Sequence, residues 1–317
     1  MTMTPQQRTK MQLLLVRFVE AMTAWNWSGK TLVSYEQNVR AFFEWLEAET
    51  EIEVLTEVSP DTLASYQMAL LSMTKKNGER LSVGTQHQRL TAIKSLFRFL
   101  VAEGKVRTNP TTAISLPKKR VVLPQPLISA KETIRMLDHI DTTTPMGLRD
   151  RAVVELLYAS GIRNAELRAL KLSDFDPHAE VMVIIAGKGN KDRVVPLGPV
   201  ASTIISDYIA QARPKLAKRP NVPNLFLTKN GYALDALAVI NIVKRATAKA
   251  GISKPVRPHR LRHACATHML RGGADIRHIQ KLLGHSSLQT TQIYTKVEIS
   301  DLKNVHRRYH PRERGRR

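Results

Sequence analysis

Residues 258–294 read PHRLRHACATHMLRGGADIRHIQKLLGHSSLQTTQIY. His259 and Arg262 lie three apart, so on a helix they share one face. A second helical run ends at Leu282-Leu283-Gly284, His285 follows directly, and Tyr294 lies nine residues beyond it. Upstream, Arg163 in ASGIRNAEL and Lys188 in AGKGNKDRVVPL add two more cations. A phosphodiester in its transition state needs cationic donors on its oxygens, a nucleophile and a group that protonates the leaving oxygen. Arg163, Lys188, His259, Arg262, His285 and Tyr294 together offer all of these without a metal ion.

Tyr294 is the nucleophile this pattern offers. An unperturbed phenol has a pKa near ~10, so only about one molecule in a thousand is phenolate at pH 7. It needs a base and nearby positive charge, which His259 and the two arginines supply. Arg163 and Arg262 suit two non-bridging oxygens, because a guanidinium stays charged and bonds as a bidentate fork. Any one of these residues alone reads as a core group or an ion pair. The six in order do not.

This pattern resembles the tyrosine recombinases, the phage integrase family with its Xer-type site-specific members. That family's Arg…Lys…His-x-x-Arg…His…Tyr order stands here as Arg163, Lys188, His259, Arg262, His285 and Tyr294, with the flanking words LRHACATHML and LLGHSSLQTTQIYTKV. Asn164-Ala165 depart from the Ser or Gly common beside the first arginine. The resemblance spans residues 127–310, and the first hundred residues fit the family's variable DNA-binding domain more loosely. It implies a mainly α chain of the tyrosine recombinase fold. An N-terminal helical bundle for core DNA occupies residues 1–116 and a linker residues 117–126. A mixed, mainly helical catalytic domain with a small antiparallel β-sheet fills residues 127–317.

The resemblance also implies a mechanism. Lys188 is the general acid for the departing 5′ oxygen, and His285 donates to the phosphate or orients its neighbours. The product is a 3′-phosphotyrosyl bond that a partner strand's 5′-hydroxyl can reverse, so neither cofactor, metal nor ATP is needed. The implied partners are double-stranded DNA at a specific site and other recombinase subunits, identical or sister, in a tetramer. A terminal helix, with Ile299, Leu302, Val305 and His306 as its stripe, docks on the neighbouring subunit. A type IB topoisomerase-like enzyme uses the same chemistry without a partner strand, and a catalytically idle DNA-binding homologue keeps the fold alone. The filled set of six speaks against the idle homologue, and the stretch beyond Tyr294 speaks against a monomeric enzyme.

Composition agrees with a polyanionic partner. The 317 residues hold 49 Lys+Arg against 27 Asp+Glu, a net charge of +22. The charge is uneven: residues 1–117 hold 13 basic and 11 acidic groups, a net of +2, which leaves +20 for the remainder. No apolar run approaches the ~18 residues of a membrane span, and the run from Met11 is broken by Arg17 and Glu20, which also argues against a signal peptide. One cysteine, Cys265, excludes an internal disulfide and fits a reducing cytoplasm, with nucleoid association when the chain is on DNA.

Along the chain, the first part reads as four or five helices. Leu32, Tyr35, Val39, Phe42, Phe43 and Leu46 form one apolar stripe, and Leu90, Ile93, Leu96, Phe97 and Leu100 another. Trp25, Trp27 and Trp45 are read as core. Arg89, Lys94 and Arg98 lie off the second stripe, where DNA contact and an ordinary solvated face fit equally. The linker PKKRVVLPQP is too proline-rich for a helix and carries Lys118, Lys119 and Arg120 for a phosphate backbone. Ser129-x-x-Glu132 opens the second domain with a capping box.

An amphipathic helix over residues 149–160 closes at Gly161, and Glu166 sits where it could hold the Arg163 guanidinium or simply form a surface ion pair. Residues 181–185 and 194–197 flank a Gly- and Lys-rich hairpin tip, and residues 225–228 suggest a further strand. Helices are expected over residues 199–212 and 235–250. The rival site within this domain is a metal, since His259 and His263 stand four apart with Cys265, His268 and His278 nearby. The intervening Arg-Leu-Arg lacks a Glu base and repels a cation, so His263 and His268 are expected to be structural.

Overall fold

Three serines set the helix starts of the first half. Ser28 accepts the Thr31 N–H at 3.3 Å, Ser59 accepts the Thr62 N–H at 3.1 Å, and Ser82 accepts the Thr85 N–H at 3.2 Å. Each bond satisfies an amide that a helix's first turn leaves unpaired. In the computed structural model, which describes residues 5–75, 77–117, 127–185, 192–284 and 296–314, these caps open three of four helices. They are α1 (Pro5–Ala24), α2 (Gly29–Glu49), α3 (Pro60–Ser72) and α4 (Val83–Ala102). Both predicted stripes turn inward: Val39, Phe42, Leu46, Leu90, Ile93, Leu96, Phe97 and Leu100 are fully buried, against Phe18 and Met22 of α1. Trp45 joins that core, but Trp25 is 51% exposed, which corrects its reading as a core residue. The linker residues Lys118, Lys119 and Arg120 lie outside the described residues.

The chain divides into two compact units, Met1–Leu123 and Pro124–Arg317. The second begins with α5 (Ala130–Asp138), held by the predicted capping box: Ser129 N–H donates to Glu132 at 2.8 Å and receives its amide at 3.2 Å. Next come α6 (Pro145–Ser160) and α7 (Asn164–Ala169). A three-stranded antiparallel sheet follows, in order β1 (Phe175–Asp176), β2 (Val181–Ile184) and β3 (Arg193–Pro196). β2 and β3 pair with Met182 opposite Val195 and Ile184 opposite Arg193.

α8 (Gly198–Asp207) runs through a π-helical turn at Tyr208–Ala212 into α9 (Arg213–Leu216). The remaining helices are α10 (Ala236–Lys249), α11 (Pro258–Arg271), α12 (Ile276–Leu283), α13 (Lys296–Tyr309) and α14 (Pro311–Arg314). Residues 225–228 form no strand of the sheet. Leu225, Phe226 and Leu227 are buried as a core segment, whose described pairings are single bridges such as Leu227 with Ala233.

α6 is the centre of this unit and packs against α5, α8, α10 and α11. It is not amphipathic. Every residue from Leu148 to Ser160 except Asp150 is buried, so the helix has no solvent face. Its charges are satisfied inside: Arg149 donates to the Leu227 carbonyl at 3.0 Å and pairs with Asp150. Arg151 donates to the Leu137 carbonyl at 2.6 Å and to Glu155 at 3.2 Å. Gly161, with φ of 60°, ends α6 in the left-handed conformation, as expected.

α13 bears on the expected subunit-docking helix. It seats on its own unit, against β3, α8, α11 and α12, with Leu302 4% and His306 1% exposed. His306 Nε2 donates to the Ala159 carbonyl at 2.8 Å, and His310 Nε2 donates to the Tyr158 carbonyl at 3.2 Å. Arg312 then clasps the fully buried Glu155 with bonds of 2.7 and 3.0 Å. Of the stripe read as a subunit-docking surface, Leu302 and His306 are buried against the same chain, where two ring donors reach carbonyls at the end of α6, and the Ile299 side chain lies outside the described residues.

Candidate active site

The site grows from the carbonyl end of α12. Gly284 caps that helix with φ of 63°, so three successive carbonyls point outward without helical partners. Each is taken by an arginine from a different element. Arg193 Nε on β3 donates to Leu282 at 3.3 Å, Arg262 Nη2 on α11 to Leu283 at 2.8 Å, and Arg163 Nη2 at the start of α7 to Gly284 at 3.1 Å. Cations are favoured at a helix C-terminus by the macrodipole as well as by these bonds. Arg262 also donates to the Gly161 carbonyl at 2.6 Å, which ties α11 to the end of α6.

Glu166 sits behind the arginines. Its Oε1 accepts Arg163 Nη1 at 2.8 Å and Arg193 Nη1 at 2.9 Å; its Oε2 accepts Arg193 Nη2 and the Arg163 backbone N–H, both at 2.8 Å. At 7% exposure it is no surface ion pair. Burial pushes its carboxyl up, but the Arg193 and Arg163 hydrogen bonds win and hold it at about 2. Burial, with Arg163 next to it, pushes Arg262 down to about 10, which still leaves it cationic at neutral pH. The Arg163 side chain keeps 27% of its surface open, while Arg262 is 5% exposed. Two preorganised guanidiniums at one helix end make a site for a tetrahedral oxyanion.

Of the six predicted residues, the structure brings Arg163 and Arg262 together at the peptide that runs into His285. His259 is exposed on α11, one turn before Arg262. Lys188, His285 and Tyr294 lie outside the described residues. The rival metal set does not converge. His259 and His263 are exposed, Cys265 is fully buried, and His268 Nδ1 bonds the Tyr158 hydroxyl at 3.0 Å. Among the described residues no group of three His, Cys, Asp or Glu could hold a metal ion. His263 is therefore a surface residue, which corrects its reading as structural.

In the first unit, Lys94 is half-buried and donates to the Ile114 carbonyl at 2.8 Å, and Arg89 contacts Met73 Sδ at 3.2 Å. Arg98 is exposed. Only Arg98 of the three thus projects without a bond to its own unit among the described contacts.

Comparison with known proteins gives this geometry its context. Residues 127–300 match the phage integrase family and residues 15–104 match the phage integrase N-terminal SAM-like domain. Tyrosine recombinase XerC 2 of Ralstonia nicotianae is 40% identical over 303 residues, 94% of this chain and 87% of that protein. The chain belongs to the phage integrase family of tyrosine recombinases. Tyrosine recombinase XerD of Listeria monocytogenes serotype 4b is 38% identical to this family member over 90% of the chain and 94% of its own length. The fold is shared with a lambda integrase dimer bound to a COC′ core site, at a TM-score of 0.65, 18% identity, and coverage of 90% and 99%.

One residue of this integrase-family site was not singled out from the sequence: Arg193, which lies in the hairpin word itself. Glu166 holds the Arg163 guanidinium as the sequence suggested, and holds Arg193 as well. The available signal was a charged residue inside the alternating run RVVPL, where a strand buries every second side chain.

Proposed function

We infer that the chain is a site-specific DNA recombinase that breaks and rejoins strands through a 3′-phosphotyrosine bond at Tyr294. The convergence of Arg163 and Arg262 on the carbonyl end of α12, directly before His285, carries the reading. Arg163 and Arg262 hold the non-bridging oxygens of the scissile phosphate, where charge develops. The Tyr294 oxygen attacks phosphorus, its proton passes to His259, and the bond to the 5′ oxygen breaks as Lys188 protonates it. His285 donates to the phosphate or orients its neighbours. The phosphotyrosine conserves the bond energy, so a partner strand's 5′-hydroxyl can close the junction without ATP.

Relatives named as recombinases, aligned over 94% and 90% of this chain, favour exchange between two sites in a tetramer over strand relaxation alone. Residues 118–317 carry +20 of the net +22 and so most of the phosphate affinity. No helix among the described residues is long and apolar enough to cross a membrane, and the single cysteine and the basic charge support action on DNA in the cytoplasm.

Covalent capture tests the reading. Wild-type protein incubated with genomic fragments and EDTA, then denatured, should carry DNA whose sequencing defines the site. Tyr294→Phe should bind a nicked duplex of that site yet form no covalent band. A retained band, or an adduct that requires added Mg²⁺ or Zn²⁺, would refute the assignment.

A further inference from the structure

The fully built part of the site contains a third arginine to which the chemistry above gives no task. Arg193 opens β3 opposite Ile184 and is 4% exposed. A cation buried on a strand carries a large desolvation cost unless its partners are close and well aimed. Here they are. Both of its terminal nitrogens meet Glu166, at 2.9 and 2.8 Å, and its Nε reaches the Leu282 carbonyl at 3.3 Å.

We propose that Arg193 is a positioning residue for strand cleavage, acting through Glu166 and the end of α12 to set Arg163 and the peptide entering His285. The proposal rests on the reading that Arg163 holds the scissile phosphate. Three features lead to it. First, each oxygen of Glu166 is shared: Oε1 between Arg193 and the Arg163 guanidinium, Oε2 between Arg193 and the Arg163 amide. Arg193 therefore fixes the carboxylate's plane, and the plane fixes Arg163. Without Arg193 the carboxylate can turn and engage Arg163 alone.

Second, the charge balance depends on the sharing. Two guanidiniums on one carboxylate leave a net positive charge, so Arg163 keeps an attraction for a phosphate oxygen. With Arg193 gone, Arg163 and Glu166 form a neutral pair, and that attraction weakens. Third, the Arg193 side chain passes close against Gly284. A methyl group at that position would come within 3.0 Å of Arg193 Cδ, 3.1 Å of Nε and 3.2 Å of Cζ. The same glycine gives its carbonyl to Arg163 and is followed by His285. Arg193 also follows Lys188 by five residues in the sequence and opens the strand that comes after the proposed acid.

The test uses the full chain and a nicked suicide duplex bearing the site recovered by covalent capture. Arg193→Lys keeps the charge but cannot hold both Glu166 oxygens and the Leu282 carbonyl at once. Its single-turnover cleavage rate at saturating protein should fall about 10- to 100-fold, with duplex affinity within threefold of wild type. Ile205→Ala, a fully buried change on α8 away from the site, serves as the stability control and should cleave at the wild-type rate even where it melts lower. Gly284→Ala pushes on the Arg193 side chain with every charge retained, and should slow cleavage about tenfold; this variant carries the test if Arg193→Lys does not fold.

Cleavage by either site variant within threefold of wild type would overturn the proposal. So would a loss of rate in Ile205→Ala equal to that of Arg193→Lys at matched melting temperature, since the effect would then be one of folding. Failure of the wild-type protein to form any adduct refutes the functional reading instead, and is seen before any variant is made.

Discussion

Lowering the pH from 7 to 5 should unseat α13 from its own unit. The two histidines that hold it are neutral by geometry. His306 donates through Nε2 to the Ala159 carbonyl, and its Nδ1 is buried without a partner among the described residues. His310 donates through Nε2 to the Tyr158 carbonyl, and its Nδ1 accepts the Arg312 amide at 3.3 Å. The two rings stack at 4.6 Å, so a charge on one opposes a charge on the other. Burial pushes His306 down to about 4, with Arg307 adding to it, against the Ala159 bond and Glu180. Burial, His306, Arg312 and His268 push His310 well below its ordinary value, the Tyr158 bond alone opposing.

A helix released to solvent regains an ordinary histidine near ~6.5. The released state then binds more protons than the seated one, so seating is complete above that value and is lost as pH falls toward 4. From His306 alone the loss between pH 7 and 5 comes to about 2 kcal/mol, roughly a 20-fold shift in the seating equilibrium. Hydrogen exchange of α13 peptides, corrected for intrinsic exchange and referred to α10, measures it. His306→Gln retains a donor for Ala159 but does not titrate, so its loss should be smaller by about that amount. Equal protection of α13 at both pH values, or an unchanged loss in His306→Gln, would refute the account.

Two further outcomes follow from described contacts. Gly161→Ala forces a side chain into a left-handed turn, with its Cβ 2.7 Å from Leu283 Cδ2, and should cost about 1–2 kcal/mol or more, a fall of roughly 2–8 °C in thermal unfolding. It should also slow cleavage, because the Gly161 carbonyl tethers Arg262. Glu155→Ala strips the buried partner from Arg151 and Arg312 and should lose about 3–5 kcal/mol in urea unfolding; a loss under about 1 kcal/mol would show that the ion cluster is neutral for stability.

What could be read from the sequence was local or chemical. Ser129 and Gly161 mark their helix ends because each acts on a backbone within a few residues. His259 and Arg262 share α11 because three residues make nearly one turn. α6 was misread because Arg149, Arg151 and Glu155 look like a solvent face, and what buries them is far away in sequence. Their partners are the Leu227 carbonyl, the Leu137 carbonyl and Arg312. Arg193 escaped notice for the same reason: Glu166 lies 27 residues earlier, and only the β2–β3 register turns Arg193 inward. β1, at two residues, is too short to leave a periodic signal.

The clasp between Glu155 and Arg312 also bears on how the protein is made. The ribosome delivers Glu155 157 residues before the arginine that neutralises it. At about 5–20 residues per second, that is an interval of roughly 8–30 s. Throughout it, the nascent second unit must either hold α6 apart or bury an acid against Arg151 alone. A chain that stops before α14 keeps Glu155 with Arg151 as its one described cationic partner. Arg312 thus completes the pairing of an acid that the chain buried 157 residues earlier.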